Sequence, residues 1–377
     1  MAQSAERRRV LDRSYILRCG NMCQGLLGIA VAGDNPEDSM TLLKGIVMIG
    51  RASALLFFFL LAARACSGPV ELKYRATGSS PELLAVYEGW FGEHNHISVG
   101  YTSHDPDAMR RQIDGAKAMG LTAFVVDWYG DRDAYIDQSY ARLQKLAAKE
   151  NFHIAMMYEA PGQEDGATDE AIADLTMFHD TYMAANSRGS EAYLTYDGRP
   201  LIFVFPHGHA TDWDKVRQVV NQWNPAPLLI DENLPGQNAK DFDGFYPWIN
   251  PGPQGWANDG SHWGEQYLSN FYQTMGTQYP DKLIVGGAWA EFDDSKASWG
   301  LNRHISARCG QTLEDTFNFW KKIYPAGQTI PFVLIETWND YEEGSAIEPG
   351  LPSCGGQAPT SLVESAAGQQ PGRAGAQ

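Results

Sequence analysis

The sequence is poor in positive charge. Lys and Arg number 29 against 46 Asp and Glu, a formal net charge of −17 at pH 7. Phosphate backbones attract basic surfaces, so nucleic acid is excluded as a partner, and an acidic lipid surface is a poor one. Cysteine is scarce: five residues, at 19, 23, 66, 309 and 354. Cys19 and Cys23 are spaced like half a zinc site, but no second pair completes it, so no structural metal is expected. Long apolar runs are also missing. The most apolar stretch, Ala52 to Ala63, has 12 residues and is too short to span a membrane. No signal of oligomeric state is present. Hydrophobic residues make up 44% and aromatic residues 12%, with 11 Trp and 17 Tyr, which is ample for a core and leaves rings to line a site for flat, partly apolar ligands.

Both ends differ from the middle. In 40–66, Lys44 and Arg51 precede the apolar run, and Ala63-Arg64-Ala65 has the form of a cleavage site. This is a secretory signal peptide in form, implying a secreted or periplasmic protein. A short anchor or a buried helix is the competing reading. Cys66 offers a lipid attachment point as a minor alternative, although Arg64 departs from the usual small-residue box. Signal peptides start near an initiator, so Met40 or Met48 is a candidate start and 1–39 is left unassigned. The tail 351–377 is rich in Gly, Ala, Gln and Pro, and is expected to be disordered because it buries too little to offset ordering entropy.

Between 80 and 350, short apolar runs recur: LLAVYEGW (83–90), LTAFVVDWYG (121–130), HIAMMYE (153–159), PLIFVFP (200–206), PLLIDEN (227–233), FDGFYPWI (242–249), KLIVGGAWAEF (282–292) and PFVLIETW (331–338). Such runs suit strands buried on both faces. Helical patterns lie between most of them, at 105–119, 135–150, 168–186, 212–223, 264–277 and 312–323. In the first, Asp105 caps and Pro106 suits the first turn. The connection 234–241 is too short for a helix. Eight strands alternating with helices predict an α/β fold, the (β/α)8 TIM barrel, with its last helix missing. A doubly wound open sheet is the alternative, but no G-x-G-x-x-G follows the first strand. No cofactor is expected.

In such a barrel the site forms where strands end. The strand ends here supply Tyr87 and Trp90; Asp127, Trp128 and Tyr129; Glu159; His207; Asp231; Tyr246 and Trp248; Trp289 and Glu291; and Trp338 and Asn339. Rings beside carboxylates suit a carbohydrate, and these residues are expected to contact a polysaccharide or oligosaccharide. Glycoside hydrolysis needs two carboxylates, one protonated and one ionised. Asp340 and Glu343, three apart in ETWNDYEEGSAIEPG (336–350), would face the same way at a helix start, and their mutual repulsion would raise one pKa. Glu342 is expected to be solvated, and Glu336 to point into the barrel against a donor. The histidines are read as structural or substrate-contacting, since no third metal ligand accompanies them.

WNDYEEGSAIEP (338–349) resembles the W-N-E-W-x-E-G-T-x-I-E-P signature of glycoside hydrolase family 99, which includes endo-α-1,2-mannosidases and endomannanases. VGYTSHDPDAMRRQIDGAKAMGLTAFVVDWYG (99–130) is similar to that family's first helix and second strand, and the likeness extends over about 85–350. The related α-1,3-glucanase family, family 71, shares looser versions. The resemblance implies a (β/α)8 barrel and a retaining, endo-acting hydrolase of α-linked polysaccharides such as α-mannan. By motif it assigns Asp340 to deprotonate the substrate's own 2-hydroxyl, giving a 1,2-anhydro sugar, and Glu343 to protonate the leaving oxygen and then activate water. The chain departs from that pattern where Asp340 replaces Glu and Tyr341 replaces Trp. A carboxylate one methylene shorter sits further back, and misplacement by about an ångström costs about a hundredfold in rate. The competing class is a non-catalytic or weakly active carbohydrate-binding barrel that keeps the aromatic rim.

Overall fold

The computed structural model describes residues 71–162, 165–354 and Leu362. The assignments made for 1–39 and for the signal-like segment 40–66 fall outside these residues.

The eight apolar runs form eight strands: β1 (Glu82–Tyr87), β2 (Ala123–Trp128), β3 (His153–Ala160), β4 (Arg199–Pro206), β5 (Leu228–Glu232), β6 (Gly244–Tyr246), β7 (Leu283–Ala288) and β8 (Phe332–Ile335). Each pairs in parallel with the next, and β8 pairs with β1 through Glu82–Phe332 to Ala85–Ile335, so the sheet closes on itself. Closure leaves no open edge and buries both faces of the strands, which is why they read as continuous apolar runs rather than alternating ones. The fold is a (β/α)8 barrel.

Helices α1 (Pro106–Ala118), α2 (Ala134–Glu150), α3 (Ala167–Phe178), α4 (Trp213–Val220), α5 (Glu265–Gln278), α6 (Gln311–Phe317) and α7 (Trp320–Ile323) surround it. Their ends follow local chemistry. Asp105 accepts from the Asp107 N–H at 2.9 Å with Pro106 in the first turn, and Asp133 accepts from Tyr135 and Ile136 at 3.0 Å. The run expected as one helix over 168–186 stops at Phe178 and continues as a wide turn through Met183. Between β5 and β6 only a 3-10 turn at Ala239–Asp241 forms, as the short connection requires. Gly244 in β6 is held to glycine by packing, since a Cβ there would run into Leu283 of β7.

After β8 the chain forms a loop over 338–349 instead of a helix. Within the segment expected to be disordered, Leu351 is buried, Cys354 forms a disulfide with Cys309, and buried Leu362 donates its N–H to the Met119 carbonyl at 3.1 Å. The rest of 351–377 lies outside the described residues. Among the described residues no helix is long and apolar enough to cross a membrane.

Candidate active site

Strand alternation sorts the polar strand ends into two populations. Side chains of successive strand residues point to opposite faces. At the end of β1, Tyr87 points outward, and its hydroxyl donates to Gln112 of α1 at 2.9 Å. At the end of β2, Trp128 donates its indole N–H to Asp137 of α2 at 3.2 Å and packs on Phe178 of α3. Tyr158 of β3 donates to Asp174 of α3 at 2.7 Å. Trp338 packs on Phe124 and against Gly115 of α1. Trp289 is buried with its N–H on the Trp263 carbonyl. Expected as sugar-contacting rings, Tyr87, Trp128, Trp289 and Trp338 instead fill the layer between barrel and helices. Tyr246 is also fully buried, its hydroxyl on the Val204 carbonyl.

Next to three of these rings, Tyr87, Trp128 and Tyr158, stand acids of the mouth. Glu88, Asp127 and Glu159, from the ends of β1, β2 and β3, are buried together with Asp340 and Glu343 of the loop after β8. Burial raises the Glu88 carboxyl well above the ordinary carboxylate range, and Asp127, Asp340, Glu159 and Glu343 push it further in the same direction. All four therefore lie within electrostatic reach of one buried acid. The two motif carboxylates do not face bulk solvent: Asp340 is 3% and Glu343 is 7% exposed.

The loop that carries them is a hydrogen-bonded turn rather than a helix start. Asp340 Oδ1 accepts from the N–H groups of Glu342 and Glu343 at 2.9 and 2.8 Å, and the Asp340 N–H donates to Thr337 Oγ1 at 2.7 Å. Asn339 fastens the turn to β1: its Nδ2 donates to the Glu88 carbonyl at 3.0 Å, and its Oδ1 accepts from the Glu88 N–H at 2.8 Å. Glu343 Oε1 accepts from the indole N–H of Trp299 at 2.8 Å. Trp299 meets Trp90 and His96 edge-on at 6.0 Å, and Trp90 stacks on His96 at 4.8 Å. Glu342 is not solvated. It is buried, and its Oε2 lies 2.6 Å from His96 Nδ1.

Across the barrel, His207 Nε2 pairs with the Glu159 carboxylate, and Phe205 meets Trp248 edge-on at 5.1 Å. Tyr129 donates to Asp127 Oδ2 at 3.0 Å. Burial lifts Asp231 to about 7. Glu336 is fully buried, and among the described residues no side-chain donor meets it; burial and Glu232 raise its pKa. Glu291 sits apart from the acids of the mouth, in a loop beside His304. Among the described residues no group of three or more His, Cys, Asp or Glu is placed to hold a metal ion.

Residues 94–364 match the model of glycosyl hydrolase family 71. The chain belongs to glycosyl hydrolase family 71. Solved structures with the same fold include a family 99 endo-α-mannosidase from Bacteroides thetaiotaomicron, 18% identical, with a TM-score of 0.55 over 71% of this chain and 86% of that one. A glycoside hydrolase-like protein matches with 14% identity and a TM-score of 0.55, covering 76% of this chain and 93% of its own. No curated protein matches the sequence. As a family 71 member the chain is a glycoside hydrolase, and its substrate is a carbohydrate.

Three residues of this site were not singled out from the sequence. Glu88 is the inward neighbour of Tyr87, and the alternation of β1 was the available signal. Trp299 and His96 come from long loops, where sequence carries no periodicity to orient a side chain.

Proposed function

We propose that this family 71 chain cleaves internal α-linkages of a neutral polysaccharide, such as α-mannan or α-glucan, with Asp340 and Glu343 as the paired carboxylates. One observation carries this reading: a single turn holds both acids buried in the barrel mouth, within reach of the same buried Glu88. Asp340 takes the proton of the 2-hydroxyl, whose oxygen then attacks the anomeric carbon and closes a 1,2-anhydro sugar. Glu343 protonates the departing glycosidic oxygen. It then removes a proton from water as that water opens the three-membered ring, while Asp340 returns its proton to the 2-oxygen. The anomeric configuration is retained, and every proton is restored. The Trp299 N–H holds the Glu343 carboxyl in place for both steps.

Rings flank the acids on two sides, Trp90, His96 and Trp299 near Glu343 and Phe205, His207 and Trp248 beyond Glu159, which suits a chain gripped through its middle. The α-mannan choice is supported by the fold of the endo-α-mannosidase, and the α-glucan choice by the family 71 resemblance. Secretion is supported by the signal-like segment and by the Cys309–Cys354 disulfide, because such bonds persist in oxidising compartments. Lipid attachment at Cys66 is distinguished by the mass of the mature N-terminus.

The test is a panel of α-mannans and α-glucans, with released oligosaccharides separated by size and the first-formed anomer read by proton NMR. Internal cleavage with retention is expected. Asp340→Asn and Glu343→Gln should each abolish turnover while leaving binding. Turnover retained in Glu343→Gln would overturn the assignment, and inversion would overturn the anhydro-sugar route.

A further inference from the structure

Glu343 is fastened at two points by one loop, the long connection after β7. The Asp293 N–H donates to the Glu343 carbonyl at 2.7 Å, and the Trp299 indole N–H donates to the Glu343 carboxylate at 2.8 Å. The base of this loop is a short antiparallel pairing of Phe292 with Ile305 and Asp293 with His304. Beyond the base only a single 3-10 turn, Asp294–Lys296, is regular. A buried side chain takes the place of the missing ladder.

That side chain is Asp294, which is fully buried. Its Oδ1 accepts from the Arg303 N–H at 2.6 Å, and its Oδ2 accepts from the Leu301 N–H at 3.0 Å and from Arg303 Nε at 2.7 Å. Three donors around one buried carboxylate fix the backbone on the far side of Trp299. On the near side, the Ala297 N–H donates to the Asp294 carbonyl at 3.2 Å, and the Gly300 N–H to the Ala297 carbonyl at 3.0 Å. Gly300 follows Trp299, and a Cβ there would collide with the Asp294 carbonyl oxygen. Arg303 is also anchored outside the loop. Its guanidinium lies 5.2 Å from the ring centres of Phe292 and of Trp256, which belongs to the connection after β6.

The Trp299 ring meets Trp90 and His96 edge-on at 6.0 Å. Such ring contacts tolerate sliding, whereas a hydrogen bond weakens steeply as its angle opens. The bond from Trp299 to Glu343 therefore depends on where the loop backbone stands. Resting on the hydrolase reading above, we propose that Asp294 is a positioning residue: clasped to Arg303 and to the Leu301 N–H, it holds the loop so that Trp299 keeps Glu343 in its reacting place. Asp294 takes part in no proton transfer. Its effect on turnover passes through Trp299.

The test is a cycle of Asp294→Asn and Trp299→Phe. Asp294→Asn keeps the size of the side chain but turns one acceptor oxygen into a donor, set against N–H groups. On whichever polysaccharide of the panel the wild type cleaves, Asp294→Asn should lower kcat about ten- to a hundredfold with KM within about twofold. The double variant should turn over within about twofold of Trp299→Phe alone, because both changes remove the same bond. Losses that multiply in the double variant, or a wild-type kcat in folded Asp294→Asn, overturn the proposal. Should Asp294→Asn fail to fold, Arg303→Lys replaces it, keeping the charge but losing the planar fork that meets Oδ2. It should lower kcat in the wild type and not in Trp299→Phe, and an unchanged kcat in the wild type overturns the proposal as well. A second readout needs no activity. In tryptophan-labelled protein, the indole N–H resonance that disappears in Trp299→Phe belongs to Trp299. It should exchange with solvent at least about tenfold faster in Asp294→Asn, or in Arg303→Lys where that variant replaces it, and unchanged exchange refutes the clasp. Wild type inactive on the whole panel, with faster exchange in the variant, counts against the hydrolase reading and upholds the clasp.

Discussion

Replacing Asn339 by Ala removes a side chain that ties both backbone groups of Glu88 to the acidic turn. Asn339 is fully buried, and its two bonds to Glu88 measure 2.8 and 3.0 Å. Truncation leaves a buried N–H and a buried C=O without their partner. Each such group costs about 1–3 kcal/mol, so a loss of about 3 kcal/mol in unfolding free energy is expected if water reaches one of them. Asp340 follows directly in the chain, and on the proposed mechanism a shift of its carboxylate by about an ångström costs about a hundredfold in kcat/KM. Asn339→Asp sharpens the comparison. Asp can still accept from the Glu88 N–H, but when ionised it cannot donate to the Glu88 carbonyl, and it adds another charge to the acidic cluster. It should be less stable than the Ala variant at neutral pH and recover on acidification, when its protonated form regains a donor. Urea unfolding at pH 5 and pH 8, with activity measured on the same samples, checks both. An Ala variant destabilised by less than about 0.5 kcal/mol, or an Asp variant as stable as wild type at pH 8, would show that this clamp does not hold the turn.

Asp231 is expected to make stability fall with rising pH. Burial holds its folded-state pKa at about 7 against an ordinary 3.8, so the folded state binds the proton more tightly; that stabilisation is present in acid and lost between about pH 4 and 7. The gap corresponds to at most about 4 kcal/mol, and Asp231→Asn should remove it, so a wild-type-to-variant difference in unfolding free energy that stays constant from pH 4 to pH 8 refutes this. Trp299→Phe keeps the ring but loses the 2.8 Å bond to Glu343. A hydrogen bond to a charged group contributes about 1.5–3 kcal/mol, so kcat should fall about ten- to a hundredfold with KM little changed, and an unchanged kcat would separate Trp299 from the chemistry. The Cys309–Cys354 bond closes a separation of 45 residues. Chain entropy alone makes it worth about 4 kcal/mol, so the doubly substituted Cys309→Ser, Cys354→Ser protein should unfold at clearly lower urea, and an unchanged midpoint would refute that figure.

The eight strands were legible because a strand covered on both faces is apolar at every position, and that composition survives without knowledge of any neighbour. Asp105 and Pro106 mark a helix start because a cap is chemistry within three residues. The acidic run after β8 was legible for the same reason, since strand and charge are contiguous, but its form was not: a helix start was expected and a hydrogen-bonded turn forms. What the sequence could not assign was direction. Tyr87 and Glu88 are adjacent, as are Asp127 with Trp128 and Tyr158 with Glu159, and a period of two guarantees only that the members of each pair part company. Closure of the barrel decided that the rings go to the helices and the acids to the mouth. Contacts such as His96 with Glu342, or Trp299 with Glu343, join loops far apart in sequence, and no local pattern encodes them. Composition and periodicity determined which elements this chain forms; which of their side chains meet was settled only when β8 paired with β1, because a side chain's burial and charge depend on neighbours that closure alone brings together.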